Sequence, residues 1–570
     1  MQTSLRAIAI SLMLAFTHRS SAQTLQFSEV ATASGISFRH TPPVAPTSTM
    51  VGGGAIGDFN GDGWPDVFLL GGGGRTDGLF INNGDGTFTD RAAEFGVAAT
   101  HLGVGVAVGD YDGDGWSDLF ITSFGPATPE TPGKHLLYRN LGGSGFEQVA
   151  HAAGVATTSA VLPDGWGASF GDYDLDGDLD LFAAGWLDNS DGNVLFRNNG
   201  DGTFANVTLS AIAFDLSYTN GFAPRFVDMD GDRWPEILLA ADYGTSRYLI
   251  NNQDGTFDEY TAPAGLGLDT NGMGQCVGDF NNDGLFDWYV TSIFGNAEQT
   301  GNMLYINQGA HQYVESGLAA GVRDAGWGWG ALAVDFDHDG EQDILATNGW
   351  TGAWQYDPTR LYINQGELQF SDQAVARGIN HKLQGRGVMN FDYDLDGDQD
   401  IVLLSLGQDV RLYRNDLSGA ATNWLRIELD RGARTDIAPH GLGSVVRVTA
   451  AGQTQVRAMS TGDNYLSQSE ASVHFGLGSS PIVDELRVEW ATGEVTTLHS
   501  VAVNQSLIIE PPQPGDVDGD GEIDLSDLGA LLAAYGACLG NAAYLAAADF
   551  DGDDCVGLGD LGVVLSAYGN

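Results

Sequence analysis

Asp58-Phe59-Asn60-Gly61-Asp62-Gly63-Trp64-Pro65-Asp66 is a short acidic loop set between two apolar runs, and it decides the fold because it returns six more times. The later copies begin at Asp110, Asp172, Asp228, Asp279, Asp335 and Asp392, at steps of 52, 62, 56, 51, 56 and 57 residues. Each copy has Asp or Asn at its first, third and fifth positions and an acid at its ninth. A repeat of this regularity dictates an architecture built from one supersecondary unit.

Two further elements repeat in step with the loop. One is a short strand ending in Asn, at Asn82, Asn140, Asn198, Asn251, Asn307, Asn364 and Asn415. The other is a strand led by an aromatic residue: Phe27, Phe88, Phe146, Phe204, Phe257, Tyr313 and Phe370. Turns such as Asn83-Gly84-Asp85-Gly86 lie between the two, and their glycines supply the positive φ of tight hairpins. Each unit therefore reads as four strands, the layout of a propeller blade. The aromatic-led strand has one copy before the first loop and none after Asn415. The stretch from Phe27 to Ile36 is thus expected to complete the seventh blade and remove the open edges. The fold class expected is all-β: a seven-bladed β-propeller closed by its N-terminal strand, a small β domain, and a small helical module with paired acidic loops.

Acids spaced two apart in a tight turn converge on one point, and hard cations such as calcium want six to eight oxygens. The first loop offers Asp58, Asn60, Asp62 and Asp66, with Gly63 turning the chain. The next copies offer Asp110, Asp112, Asp114 and Asp118, then Asp172, Asp174, Asp176 and Asp180. The fourth has Asp228, Asp230, Asp232 and Glu236, and carries Arg233 where the others have Gly, so it is the weakest of the set. Asp279, Asn281, Asp283 and Asp287 form the fifth, Asp335, Asp337, Asp339 and Asp343 the sixth, and Asp392, Asp394, Asp396 and Asp400 the seventh. With no His or Cys at these positions, zinc and copper are disfavoured and Ca2+ at several sites is expected. His338, inside the sixth loop, reads as solvent-facing.

The net charge of −51, from 75 acids and 24 bases, argues against partners such as nucleic acid or an anionic membrane surface, which need basic footprints. Hydrophobic residues make up 43% of the 570, ample for packed cores. Residues 1–22 read as an export signal, with Arg6 ahead of an apolar run and Ser20-Ser21-Ala22 at the cut, so a secreted or surface-held product is expected. The remaining divisions are the propeller over 23–420, the small β domain over 421–510, a Pro-rich linker over 511–515 and the paired-loop module over 516–570. Of three cysteines, Cys276 reads as a buried small hydrophobe, while Cys538 and Cys555 are close enough to pair or to stay apart. In the last module Leu528, Leu531, Leu532 and Tyr535, and again Leu561, Val564, Leu565 and Tyr568, share one helical face, so two helices should pack together.

Three resemblances cover most of the chain. The loops GDFNGDGWPD, GDYDGDGWSD and GDYDLDGDLD resemble FG-GAP (VCBS-type) repeats of integrin-α-like propellers over about residues 27–415, which implies calcium held in a recognition or adhesion scaffold. The run Gly441-Leu442-Gly443-Ser444, with Gly462 to Tyr465, His474 to Gly478 and Trp490, is similar to the ASPIC/UnbV domain that accompanies such propellers in the cartilage acidic protein-like family. The tail resembles a type I dockerin, a double calcium module that docks onto a cohesin-type partner in polysaccharide-degrading complexes. Carried onto this sequence, the first tail loop supplies Asp516, Asp518, Asp520, Asp524 and Asp527, and the second supplies Asp549, Asp551, Asp553 and Asp560. Asp554 stands where the second loop's turn glycine belongs.

Enzyme chemistry is not indicated. The chain has no H-E-x-x-H, no G-x-S-x-G and no phosphate-cradling Gly-rich loop. Binding of protein or carbohydrate partners is the function expected, and the alternative is an accessory or catalytic hydrolase subunit of an extracellular polysaccharide-degrading complex. Trp327, Trp329, Trp350 and Trp354 flank the sixth loop in sequence and read either as sheet core or as a sugar- or peptide-binding face.

Overall fold

The computed structural model describes residues 24–42, 50–124, 135–156, 164–190, 192–295, 299–462, 464–517, 523–550 and 553–568. The export signal expected over 1–22 lies outside them. Seven four-stranded antiparallel sheets follow one another along the chain. The first is made of Gly54–Gly57, Asp66–Leu69, Gly78–Asn82 and Phe88–Asp90. The first strands of the next six are Gly103–Gly109, Ala168–Gly171, Asn220–Val227, Gln275–Gly278, Gly328–Val334 and Gly385–Phe391. In every sheet the acidic loop joins the first strand to the second, and the ninth residue of the loop is the first residue of that second strand. The outer strand of the seventh sheet is Phe27–Glu29, pairing antiparallel with Arg411–Asn415. It is shorter than the stretch to Ile36 expected from sequence, because the chain turns at residues 31–35, with Gly35 at φ +83°.

The Asn that ends each third strand ties its sheet to the preceding one. The Asn140 side-chain amide donates to the Phe59 carbonyl at 3.0 Å, and Asn198, Asn251, Asn307, Asn364 and Asn415 make the same bond at 2.8–3.0 Å. Asn82 of the first sheet donates to the Tyr393 carbonyl of the seventh. The series therefore runs round all seven sheets and meets its own start. Apolar side chains between adjacent sheets form separate layers, such as Phe59, Phe68, Val106 and Ile121 between the first and second. Cys276 is buried in the first strand of the fifth sheet.

Beyond the ring, Asn423–Leu429, Val473–Gly478 and Gln505–Ile509 form a three-stranded sheet, and Val445–Ala450, Gln453–Ala458, Ile482–Glu489 and Val495–Ala502 a four-stranded one. These two sheets share a core of Leu425, Val446, Phe475, Leu486 and Trp490. The domain keeps its own two sheets, and one of its segments also contacts the ring. Its segment 464–470 enters the ring and bonds to the first strands: Leu466 O accepts from Val106 N at 3.2 Å, and Gln468 N donates to Gly54 O at 3.1 Å. The Gln468 side chain bonds both ways with Val108, accepting at 2.9 Å and donating at 3.0 Å. Tyr465, fully buried, packs on Phe222 and Trp329.

The tail holds two helices, Leu525–Ala534 and Leu558–Ala567, in mutual contact. Leu531, Ala534 and Val564 are buried between them. The faces expected from sequence are only partly buried, since Leu532, Tyr535, Leu565 and Tyr568 stay exposed. The pairing left open in sequence is formed, as a Cys538–Cys555 disulfide.

Candidate functional site: the acidic loops

The seven loops share one geometry. The first-position carboxylate folds the turn by accepting backbone N–H groups: Asp58 Oδ1 from Gly61 at 2.8 Å and Oδ2 from Gly63 at 2.8 Å. Asp110 accepts from Asp114 and Gly115, and the same pattern holds at Asp172, Asp279, Asp335 and Asp392. The residue after the fifth position needs a left-handed backbone, which Gly63 supplies at φ +83°. Arg233 adopts the same conformation at φ +81° and still donates its N–H to Asp228 at 2.8 Å, so the fourth loop keeps the shape despite its sequence.

The ninth-position acid has a task that sequence did not reveal. Asp118 Oδ2 accepts from the Tyr111 N–H of its own loop at 3.1 Å, while Oδ1 accepts from the Asn140 N–H of the third strand at 2.7 Å. Asp66, Asp180, Asp287, Asp343 and Asp400 make the same two bonds. Each is a clamp joining loop, second strand and third strand. Glu236 keeps the loop bond, from Met229 N at 2.8 Å.

Burial then places carboxylates against one another. Oxygens of Asp110, Asp112 and Asp118 lie within 4.8 Å of one another, as do those of Asp172, Asp174 and Asp180, of Asp228, Asp230 and Asp232, and of Asp335, Asp337 and Asp339. Burial, followed in several cases by repulsion from the neighbouring acids, pushes Asp66 up to about 8, Asp118 to about 9, and Asp172, Asp287 and Asp392 to about 8. Asp174 and Asp394 rise to about 6 for the same reasons, and Asp180, Asp343 and Asp400 go well above the usual carboxylate range.

The donor set fits a hard cation. Among the described residues, Asp112 Oδ1, Asp174 Oδ1, Asp337 Oδ1 and Asp394 Oδ1 are buried without a hydrogen-bond partner, all at the third position of their loops. A buried carboxylate oxygen left unpaired is costly, and a divalent ion there would satisfy it. In the tail, Asp527 accepts from Val517 N and Asp524 N at 2.7 Å, and Asp560 accepts from Phe550 N and Gly557 N at 2.6 Å, the same bonds one repeat apart. Asp549 Oδ1 is buried and unpartnered, while Oδ2 accepts from the Tyr544 hydroxyl at 2.8 Å. Asp554 takes the glycine-like φ of +64°. Asp516, Asp524 and Asp553 are described, whereas Asp518, Asp520 and Asp551 lie outside the described residues.

The second domain sits on the loop face of the ring. Arg431 donates to the Gly113 carbonyl at 3.3 Å and to that of Gly177 at 3.4 Å, and Arg233 donates to Ala491 O at 3.4 Å. Trp424 lies against Gly397, where an added Cβ would meet the indole at 1.9 Å. His338 is therefore buried, contrary to the sequence expectation: its Nδ1 is 3.1 Å from Thr422 O and its ring centroid 4.7 Å from that of His474. Burial lowers His338 to about 4 and holds His474 well below its ordinary value. Arg457 from the same domain favours the charged forms of Asp279 and Asp335, against the burial that raises both.

The tryptophans flanking the sixth loop in sequence lie at the other end of its strands. Gly328 pairs with Asn348 there, whereas the loop joins Val334 to Asp343. Trp329 is buried, and Trp327, Trp350 and Trp354 pack half-buried on the same core, with Trp327 stacked on Trp350 at 5.1 Å.

The strand–loop–strand units with their acidic turns define the class: the family described as FG-GAP-like repeat matches residues 58–121, 172–239 and 228–290, and the one described as ASPIC and UnbV matches 435–515. Among individual proteins, the chain is related to cartilage acidic protein 1, at 24% identity over 511 residues to both the Mus musculus and the Homo sapiens proteins. The match covers 82% of this chain but 66% and 64% of those relatives, short of two thirds of their length. The solved structure of YCF48 from Cyanidioschyzon merolae is a distant likeness that carries no argument, with a TM-score of 0.34, 12% identity, and coverage of 68% of this chain and 98% of that one.

Proposed function

We propose that the chain is a secreted calcium-binding scaffold of the cartilage acidic protein-like family, a seven-bladed β-propeller whose acidic loops hold Ca2+ and whose work is recognition or adhesion. The observation that carries this reading is the set of third-position carboxylate oxygens, buried and unpartnered in four loops of one geometry. Calcium bound there would supply positive charge to acids that burial otherwise drives toward protonation. Its chemistry in this role is structural, because the loops that would hold it are also clamped by the Asn-bearing strands and covered by the ASPIC/UnbV-like domain. Partner binding then falls to the variable connections at the opposite ends of the sheets, with protein or carbohydrate as the partner class.

Export is supported by the Cys538–Cys555 disulfide, which suits an oxidising compartment. Among the described residues no helix is long and apolar enough to cross a membrane. The tail is assigned to docking or anchoring: Leu525 and Leu558, 72% and 78% exposed, occupy equivalent places one repeat apart, as do Leu532 with Leu565 and Tyr535 with Tyr568. Exposed apolar residues repeated in this way suit a protein partner, with a cohesin-type domain the first candidate. The test is capture of extracellular protein and glycan partners on the immobilised full chain in calcium and in chelator, beside a chain ending at Pro511. The reading expects calcium-dependent capture, and partners bound equally well in chelator would contradict it.

A further inference from the structure

The seven loops differ at their third position, and a base placed elsewhere in the fold follows the difference. The first and fifth loops have Asn60 and Asn281 there, and the other five have Asp112, Asp174, Asp230, Asp337 and Asp394. The residue before the Asn that ends the third strand is Arg139, Arg197 and Arg414 in the second, third and seventh sheets, each of which has Asp in its loop. It is Ile81 and Ile306 in the first and fifth sheets, where the loop has Asn. The fourth and sixth sheets combine Ile250 and Ile363 with Asp, and there the base comes from another element. His311 Nε2, on the hairpin turn before Tyr313–Glu315 of the fifth sheet, pairs with Asp230 Oδ2 at 3.0 Å. Arg377 follows Phe370–Asp372, the last strand of the sixth sheet, and its charge acts on Asp337. Every loop with Asp at the third position is thus matched by a base.

The arginines stand beside the loops without occupying them. Arg139 lines a cleft with Tyr111 and Asp112, and the same cleft recurs as Arg197 with Tyr173 and Asp174 and as Arg414 with Tyr393 and Asp394, closed each time by a hairpin turn of the neighbouring sheet. Acids outside the loops hold two of them, Glu147 at 3.0 Å from Arg139 and Asp416 at 2.7 Å from Arg414. Arg377 donates to Gln373 Oε1 at 2.9 Å and to Leu25 O at 3.2 Å. Asp112 Oδ1, Asp174 Oδ1, Asp337 Oδ1 and Asp394 Oδ1 stay buried without a hydrogen-bond partner, so the oxygens a cation needs are left to it. Against the burial and the acid–acid repulsion that raise these four acids, the charges of Arg139, Arg197, Arg377 and Arg414 favour the ionised forms. Four acids less one base leave such a loop with the net charge of the three-acid loop of Asp58, Asn60, Asp62 and Asp66. Calcium affinity follows the charge gathered at a site, so a base placed there weakens the pull on the ion.

We propose that Arg139, Arg197, Arg377 and Arg414 set the calcium affinity of the four-acid loops, holding each to the strength of a three-acid loop. The proposal rests on the calcium reading of the loops and deepens it. The test is calcium titration of the full chelator-stripped chain in competition with a calcium-indicator dye, for the wild type, Arg139→Gln, Arg197→Gln, Arg139→Lys and Arg197→Lys. Both arginines are exposed at strand ends, Arg139 with 40% of its side chain in solvent, so the sheets survive their loss. Each Gln variant should bind one equivalent about three- to tenfold tighter at low ionic strength, with a smaller gain at high salt. The Lys variants keep the charge and should keep the wild-type affinity. An arginine that served packing alone would give unchanged or weaker binding when replaced by Gln. That result in both Gln variants, or equal tightening in the Lys variants, overturns the proposal while the wild-type chain still binding calcium leaves the reading of the loops in place. A wild-type chain that takes up no calcium overturns both.

Discussion

The side-chain amide of Asn82 donates to the Tyr393 carbonyl at 2.8 Å, across 311 residues of sequence. It is the bond that closes the ring, and its six equivalents join each sheet to the one before. The Asn82 backbone N–H meanwhile donates to Asp66 at 2.8 Å, so each Asn holds a neighbouring sheet with its side chain and its own acidic loop with its backbone.

Truncating one of these amides leaves a buried carbonyl unsatisfied. Asn140→Ala and Asn198→Ala should each lower unfolding stability by about 1–3 kcal/mol, read by chemical denaturation in calcium. Asn82→Ala, at the closure, should cost at least as much. A change within the error of the titration at all three positions would show that the ring does not depend on them.

The raised acids give the metal-free protein an inverted pH response. A carboxyl whose folded value is raised is stabilising while protonated, below the ordinary unfolded value near 4, and that contribution is lost as pH rises through the folded value. With Asp66, Asp172, Asp287 and Asp392 at about 8 and Asp118 at about 9, the chelated chain should lose stability steadily from pH 4 to 9. Saturating calcium should remove most of that slope. Calorimetric melting across this range, with and without chelator, checks it, and parallel curves would count against the loops as metal sites.

The buried His338–His474 pair works in the opposite direction. Their folded values are lowered, so the stability they contribute is complete above the unfolded value of about 6.5 and falls away as pH drops toward about 4, the folded value of His338. Asp398 Oδ1 lies 3.8 Å from His338 Nε2, and the charges of Arg457 and Arg426 act on His474, adding to the lowering. His474→Phe should flatten the loss between pH 6.5 and 4, and hydrogen exchange should show Trp424 and its neighbours opening first in the wild type. An unchanged acid limb in the variant would place the sensitive groups elsewhere.

Gln468→Ala removes two buried bonds to Val108 inside the ring and should lower stability by about 2–3 kcal/mol. Faster hydrogen exchange is expected in the first strands of the first two sheets, where the segment bonds. Faster exchange confined to the second domain would mean that the inserted segment does not brace the ring.

What sequence revealed was what repeats locally. The loop at Asp58, the Asn-ended strands and the offset of Phe27 each recur within one unit, so period and register could be read directly. The partners of those residues could not: Asn82 bonds a carbonyl of the last sheet, and a carbonyl has no signature in sequence. His338 looked solvent-facing because its cover, His474 and Trp424, belongs to another domain. The segment 464–469 carries no periodicity, so its passage into the ring left no mark, although Ser467, Gln468 and Ser469 suit bonding to exposed strand edges. The fourth loop's odd residues, Arg233 and Glu236, are visible in sequence, but His311, which pairs with Asp230, lies on a hairpin turn of the next sheet and only the fold brings it near.

The central claim is that the acidic loops bind calcium, and the most direct measurement is calorimetric calcium titration of the whole chelator-stripped chain and of a chain ending at Pro511. The account predicts that several equivalents persist in the shortened chain, that the tail adds up to two more, and that Asp112→Asn, Asp174→Asn and Asp394→Asn each weaken or remove one ring equivalent. A shortened chain that takes up no calcium and melts at the same temperature in calcium and in chelator would contradict it.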